Sequence, residues 1–413
     1  MKLPYNPEKD TFIGLTTGKR PVFTADDAKN IFVCGTTGSG KTVALANYIK
    51  RAVEKNFPAL IIDGKGDTGT GSLLDIVKKL SRKGKKVYVI NMTDPSKSDK
   101  YNPFRNASPT IAKDMLINLT EWSEEHYKLN TERYLQRLVY LLHLAKIPLT
   151  FQNIIKYMAI EQFKALSAEL FKLEILTKAD HSLNMELLKS SGKIAENASA
   201  RFATITESEL GQIFDDSGID IYTAMQENAI ILFILNPLIY PELSPLMGRL
   251  ITIDSKKAIS NLYQSGNGRA FFIMDEINVY ASTALVDLVN KSRSANVTCI
   301  LATQSLSDLD AAVNEAYKEQ IIENCNNYIV LRQNSSINAE HWANILGTKA
   351  TLETTYQLKQ TGTGATETGF GSARRVREFL YHPDDIKALQ AGKGVFLSRD
   401  MNTHCKVNIH KPF

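Results

Sequence analysis

Residues 31–54 read IFVCGTTGSGKTVALANYIKRAVE. A wholly apolar run, IFVC, meets a glycine-rich turn, GTTGSGKT, and the turn meets a stretch compatible with a helix. The turn matches G-x-x-x-x-G-K-[ST], and a strand before it with a helix after it is the setting that pattern requires. The spelling has a physical reason: glycines let successive backbone N–H groups converge on phosphate oxygens, and the helix amino terminus adds a positive partial charge. Gly35, Thr36, Thr37, Gly38, Ser39, Gly40, Lys41, Thr42 and Val43 are therefore the expected nucleotide-binding residues. Lys41 is expected to reach the β and γ phosphates of ATP, and Thr42 to hold Mg²⁺ through its hydroxyl. The rival, a glycine-rich turn that binds nothing, explains the pattern but not its setting.

Outward from this turn, short apolar runs recur at residues 59–62, 87–90, 229–235, 270–274, 299–302, 328–331 and 394–397. They lack period-2 alternation, as strands buried on both faces do, and several precede helix-compatible stretches. The pattern predicts an α/β fold with a mostly parallel central sheet between helices. Over residues 108–218 the texture changes to helical spacing, as in Leu135, Leu138, Val139 and Leu142. The expected division is a nucleotide-binding domain over 1–107, an inserted all-α domain over 108–218, and the remainder of the nucleotide-binding domain over 219–413. Residues 362–377, GTGATETGFGSARRVR, show four glycines and no apolar stripe, and are expected to form a mobile loop.

With 413 residues, 43% hydrophobic and 23% charged, the chain can bury a substantial core, which excludes a fibrous or disordered protein. Its 49 basic and 44 acidic side chains leave +5, an excess that permits nucleic-acid contact without demanding it. Cys34, Cys299, Cys325 and Cys405 are scattered, so neither a disulfide framework nor a zinc site is expected, and a reducing cytoplasm fits. The amino terminus, MKLPYNPEKDTFIG, has no signal-peptide pattern, and Asn236 and Pro237 interrupt the greasiest run. No segment approaches the roughly 20 apolar residues of a spanning helix.

Which class of P-loop protein this is depends on the other strand ends. Asp63-Gly-Lys-Gly66 spells the DxxG of a GTPase, and Thr177-Lys-Ala-Asp180 a guanine-reading TKxD, but the second falls among the helices. Residues 270–276, AFFIMDE, end an apolar strand in two carboxylates, the Walker B pattern of additional-strand ATPases. Asp275 is expected to hold Mg²⁺ and Glu276 to polarise the attacking water as general base. The competing explanation is a helix cap with solvated acids. The strand VTCILATQS places Gln304 at its carboxyl end, where it could sense a γ phosphate, unless it only begins a turn. Arg293 between the two strands could complete a neighbouring subunit's site or be an ordinary solvated arginine.

Taken together, GTTGSGKT, ALIIDGKGD, YNPF at residues 101–104, FFIMDE and ILATQS resemble the type IV coupling proteins, the TraG/TraD-like ATPases of conjugation, within the FtsK/HerA superfamily of DNA pumps. The strand ending in Asp-x-Lys-Gly, the Asn102-Pro103 pair and NILGT at residues 344–348 are the more particular features. The resemblance implies a RecA-like P-loop ATPase with an inserted all-α domain, assembled as a homo-hexamer around a channel that admits DNA. It also implies Arg293 as arginine finger, Gln304 as the strand-end glutamine, and relaxase and membrane-channel proteins as partners. Many coupling proteins begin with transmembrane helices and this sequence shows none, so the expectation is a cytoplasmic protein that either is recruited to the membrane's inner face by a partner or is a soluble relative that moves DNA elsewhere.

The expected function is ATP-driven translocation of DNA, as a relaxase-DNA complex, into a conjugative or type IV secretion channel. Two alternatives stay open: a nucleotide-gated substrate receptor without processive pumping, and a chromosome-partitioning or genome-packaging pump. For DNA contact the residues offer Lys78, Lys79, Arg82, Lys83, Lys85 and Lys86, which read more readily as a solvated helix end, and the group Arg374, Arg375 and Arg377. Trp122 reads as a packed helical residue.

Overall fold

The computed structural model describes residues 5–27, 29–81, 84–265, 269–361 and 364–413. Strands β1 (Asp10–Thr16) and β2 (Pro21–Ala25) form an opening hairpin. The buried β3 (Ile31–Cys34) leads into α1 (Lys41–Glu54), then β4 (Ala59–Asp63), α2 (Leu73–Leu80) and β5 (Val87–Asn91) follow. Five helices come next without an intervening strand: α3 (Pro109–Leu119), α4 (Glu125–Leu144), α5 (Phe151–Met158), α6 (Ile160–Lys172) and α7 (Lys178–Thr206). The chain returns through α8 (Ile221–Gln226), β6 (Ile230–Ile234), α9 (Leu243–Ser265), β7 (Ala270–Met274), α10 (Thr283–Ser292) and β8 (Val297–Thr303). It continues as α11 (Leu306–Ala312), α12 (Glu315–Glu323), β9 (Asn327–Val330) and α13 (Ser336–Leu346). Last come β10 (Thr348–Thr361), β11 (Gly364–Phe379), α14 (Pro383–Lys387), β12 (Lys393–Ser398) and β13 (Thr403–Ile409).

Eleven strands make one sheet in the order β2-β1-β13-β12-β9-β3-β8-β7-β4-β6-β5. From β9 to β5 the strands are parallel, and β12, β13, β1 and β2 extend one edge antiparallel. Every residue of β3, β4, β6, β7, β8 and β9 is buried, because helices cover both faces. Alternation divides each strand between two cores. Ile31 and Val33 pack with Leu45 and Ile49 of α1 on one side, while Phe32 and Cys34 join the core that includes the α3–α7 helices. Each such aliphatic side chain contributes about 1.5–3 kcal/mol on burial.

The helical segment begins where Ser108 caps α3 by accepting from Ile111 N, with Pro109 in the first turn. Both its ends are tied to the YNPF stretch. Tyr101 N donates to Ile213 O at 2.9 Å, and Asn102 N to Ile219 O at 3.0 Å. Behind this junction Lys257 Nζ is buried against Asp220 Oδ2 at 2.8 Å, Asp254 Oδ1 at 2.9 Å and Pro103 O at 2.8 Å. Tyr101 OH donates to Asp254 Oδ2 at 2.8 Å. The Asn-Pro pair therefore belongs to an ionic knot that ties together the two ends of the helical segment.

The mobile loop expected over 362–377 is overturned for its described residues. Gly364–Phe379 is a strand, paired antiparallel with β10 from Thr348↔Phe379 to Thr361↔Gly364; Gly362 and Thr363 lie outside the described residues. The physical reason is that no buried face disciplines the sequence: Leu352, Arg374, Arg375 and Arg377 are all exposed, so apolar alternation never appears. NILGT sits at the start of this ribbon. Gly347, at φ +98°, ends α13 in a conformation that favours glycine and turns the chain into β10.

Candidate active site

In an open parallel sheet, ligands bind beyond the carboxyl ends of the strands, and here β3, β4, β7 and β8 end side by side. The turn after β3 wraps to the start of α1, with Gly38 at φ +74° and Gly40 at φ +113°. A Cβ at Gly35 would lie 2.5 Å from Leu331 Cβ, so the first glycine is required by packing against β9's end. Gly40 is the residue before α1; no side chain caps the helix, and its first turn carries no acid. The first N–H groups of α1 are thus left for an anion, together with the dipole. Thr42 is half-buried in that first turn.

Lys41 folds back over the turn. Its Nζ donates to Gly35 O at 2.7 Å and lies 3.7 Å from Glu276 Oε1. Burial pulls its pKa below the usual lysine value, against the pull of Glu276. Glu276, with only 4% of its side chain exposed, occupies a left-handed conformation at φ 50°, uncommon for a residue with a side chain and typical of functional turns. Its carboxyl is raised above the ordinary range by burial first and by Asp275 next. Gln304 Nε2 donates to Glu276 Oε1 at 3.1 Å, while Gln304 Oε1 accepts from Thr37 Oγ1 at 3.1 Å. The structure thus brings Lys41, Glu276, Gln304 and the phosphate-loop turn into one hydrogen-bonded constellation.

Asp275 continues β7, its N–H bonded to Ile62 O at 2.9 Å. One carboxylate oxygen, Oδ1, is buried with no hydrogen-bond partner. A buried, unpartnered carboxylate oxygen is a hard donor of the kind Mg²⁺ takes, so Asp275 fits a divalent cation. Among the described residues no three His, Cys, Asp or Glu side chains group as a protein-only metal site, which suits a cation held jointly with phosphates.

Sequence reasoning did not assign Lys65 to the site. Its Nζ lies 3.3 Å from Asp275 Oδ2 and 3.4 Å from Glu276 Oε1. Burial lowers its pKa, but the two carboxylates outweigh burial and hold it above the usual lysine value. Neighbouring Asp63 accepts from Lys65 N at 2.9 Å, and its carboxyl is pushed up to about 7 by burial and then by Asp275. The signal available was the Asp-x-Lys-Gly at the end of an apolar run adjacent in space to β7. In the DxxG spelling Asp63 thus holds the backbone of Lys65, and Lys65 pairs with the acid pair. Thr177 and Asp180 form the N-cap of α7, Thr177 Oγ1 accepting from Asp180 N at 3.1 Å.

The other expectations fall elsewhere. Arg293 is exposed on the turn before β8, and seven strand residues separate it from Gln304, roughly 23 Å at the usual rise. It does not reach its own chain's site. Lys79 pairs with Asp75 at 2.7 Å and Lys86 with Glu227 at 2.9 Å, while Lys85 Nζ donates to Asn56 Oδ1 and Phe57 O at 2.9 Å each; Arg82 and Lys83 lie outside the described residues. Trp122 Nε1 donates to Ile117 O at 2.8 Å and its ring packs under Arg201. No helix among the described residues is long and apolar enough to cross a membrane.

A doubly covered, mostly parallel sheet with this phosphate turn and strand-end acid pair defines a RecA-like P-loop ATPase fold. Two families match the sequence: the type IV secretion-system coupling protein DNA-binding domain over residues 15–73, and the TraM recognition site of TraD and TraG over residues 269–391. The chain belongs to the type IV coupling-protein family. The bacterial conjugative coupling protein TrwB, without its first 70 residues, has the same fold: TM-score 0.66, 16% identity, 97% of this chain and 89% of that one covered. TrwB in complex with ADP and Mg²⁺ aligns with TM-score 0.65 at 16% identity over 97% and 89% of the two chains. VirB4 of Thermoanaerobacter pseudethanolicus aligns over 99% and 98%, with TM-score 0.62 and 12% identity. An uncharacterized protein of Mycoplasma pneumoniae is 31% identical over 105 residues, 25% of this chain and 70% of that protein.

Proposed function

We propose that this protein is an ATP-driven hexameric DNA translocase, the coupling ATPase that passes a relaxase-DNA complex to a conjugative or type IV secretion channel. The observation that carries the proposal is the Gln304–Glu276–Lys41 constellation over an uncapped helix amino terminus. The family matches and the ADP and Mg²⁺ bound by TrwB support the nucleotide and the cargo.

In this reading the N–H groups of residues 35–43 and the Lys41 ammonium bind the phosphates, Lys41 exchanging its Gly35 carbonyl for a phosphate oxygen. Thr42 and Asp275 hold Mg²⁺, which withdraws charge from the phosphate oxygens when bound. Glu276 orients a water and accepts its proton; its raised pKa makes it a better base than an exposed carboxylate. Gln304 holds the Glu276 carboxylate and reports its state to Thr37 on the loop. Arg293, exposed and distant from its own site, serves a neighbour's, so turnover requires an assembled ring.

The test is steady-state ATP turnover as a function of protein concentration, with and without single- or double-stranded DNA. A steep rise with concentration, stimulated by one form of DNA and abolished in Arg293→Ala, is expected. Negligible multiple turnover at every concentration, with or without DNA, would leave a nucleotide-gated receptor instead.

A further inference from the structure

We propose that Lys65 is a resident counter-cation that competes with the divalent cation for Asp275, so that it sets how much metal is needed to load the site. This rests on the nucleotide-binding reading above and names a positioning residue within it.

Three carboxylates, Asp63, Asp275 and Glu276, are buried at the ends of the adjacent strands β4 and β7. Two lysines compensate them. Lys41 is committed to Gly35 O and touches only Glu276, whereas Lys65 spans Asp275 Oδ2 and Glu276 Oε1. Among the described residues Lys65 is the cation in ion-pair contact with Asp275.

The backbone places it there. Asp63 Oδ1 holds the Lys65 N–H, and the two flanking glycines leave no room for a side chain. A Cβ at Gly64 would sit 2.8 Å from Glu276 Cβ. A Cβ at Gly66, itself at φ +75°, would sit 2.5 Å from Leu235 O. The turn is wedged between the ends of β7 and β6 with its lysine directed at the acids.

A dication arriving at Asp275 meets a like charge already in contact with that carboxylate. Either the ammonium withdraws or the metal binds weakly, since repulsion at 3–4 Å is large even at the effective dielectric of a protein surface. Withdrawal is open to Lys65 because its side chain is 34% exposed, unlike Asp275 at 1%. Until nucleotide brings further oxygen ligands, Lys65 covers Asp275 Oδ2 and Glu276 Oε1 and holds the pair apart from solvent metal.

The test titrates Mn²⁺ alone into the nucleotide-free full chain, reading free Mn²⁺ by electron paramagnetic resonance. Lys65→Gln is expected to bind Mn²⁺ about tenfold more tightly than wild type. Lys65→Arg, which keeps the charge, should stay at the wild-type value, and adding Asp275→Asn to Lys65→Gln should erase the gain. Lys65→Met, retaining the apolar stem, repeats the measurement if the glutamine variant melts early. Mn²⁺ affinity unchanged or weakened in both neutral variants, or a gain that survives Asp275→Asn, overturns the proposal. The readout needs no turnover, so a chain that hydrolyses no ATP defeats the proposed function without deciding this result.

Discussion

Gln304 donates to Glu276 at 3.1 Å, so an amide at the end of β8 orients the acid at the end of β7. The same amide accepts from Thr37 in the glycine-rich turn, so it joins the acid at the end of β7 to that turn. Gln304→Ala is expected to lower kcat on the order of tenfold to a hundredfold while leaving the affinity for a fluorescent ADP analogue nearly unchanged. Equal losses in kcat and ADP affinity would show that Gln304 supports the loop rather than the acid.

Lys41 has lost much of its hydration and holds one backbone carbonyl and one carboxylate. Lys41→Met should weaken ATP binding by about tenfold to a hundredfold, the value of one or two charge-assisted hydrogen bonds. Isothermal titration checks it. Undiminished ATP affinity would remove Lys41 from the phosphates.

Asp63 provides the pH dependence. Its folded pKa of about 7 exceeds the unfolded value, about 3.9, so the folded chain binds the extra proton between them. Stability from this group is therefore fully present below about pH 4 and is lost as pH rises through 7. Asp63→Asn keeps an acceptor for Lys65 N and removes the titration. In urea unfolding of the nucleotide-free chain, the variant should match wild type near pH 4 and exceed it at pH 8 by on the order of 4 kcal/mol. A constant difference across that range would contradict the assignment.

Lys257 neutralises two fully buried aspartates at the neck of the helical insertion. Lys257→Met strands both charges and should destabilise the fold by about 3–5 kcal/mol. Tyr101→Phe, which removes one hydrogen bond to Asp254, should cost about 1–2 kcal/mol. Comparable small losses in both would mean the knot is not ionic.

The parallel strands were legible because burial on both faces leaves uniform apolar runs such as IFVC and AFFIM. β1 and β13 were not: they mix polar with apolar residues, and their pairing joins segments far apart in the sequence. The ribbon of β10 and β11 carried even less signal, since its sequence mixes glycines with polar residues and Leu352, Arg374, Arg375 and Arg377 are exposed. At the site, the phosphate turn, the acid pair and Gln304 are each local in sequence. Lys65 acts across 210 residues, and nothing in DGKGD says that β4 and β7 are neighbours until the sheet order is known. Arg293 reads as close to the glutamine strand in sequence, but it precedes that strand while the site follows it.

The most direct measurement is steady-state ATP turnover of Glu276→Gln beside wild type, with ATP binding recorded on the same preparations. Retained binding with turnover reduced at least a hundredfold is predicted, since only the proton acceptor is removed. Wild-type turnover in the variant would contradict the assignment of Glu276, and with it the catalytic site built on this strand end.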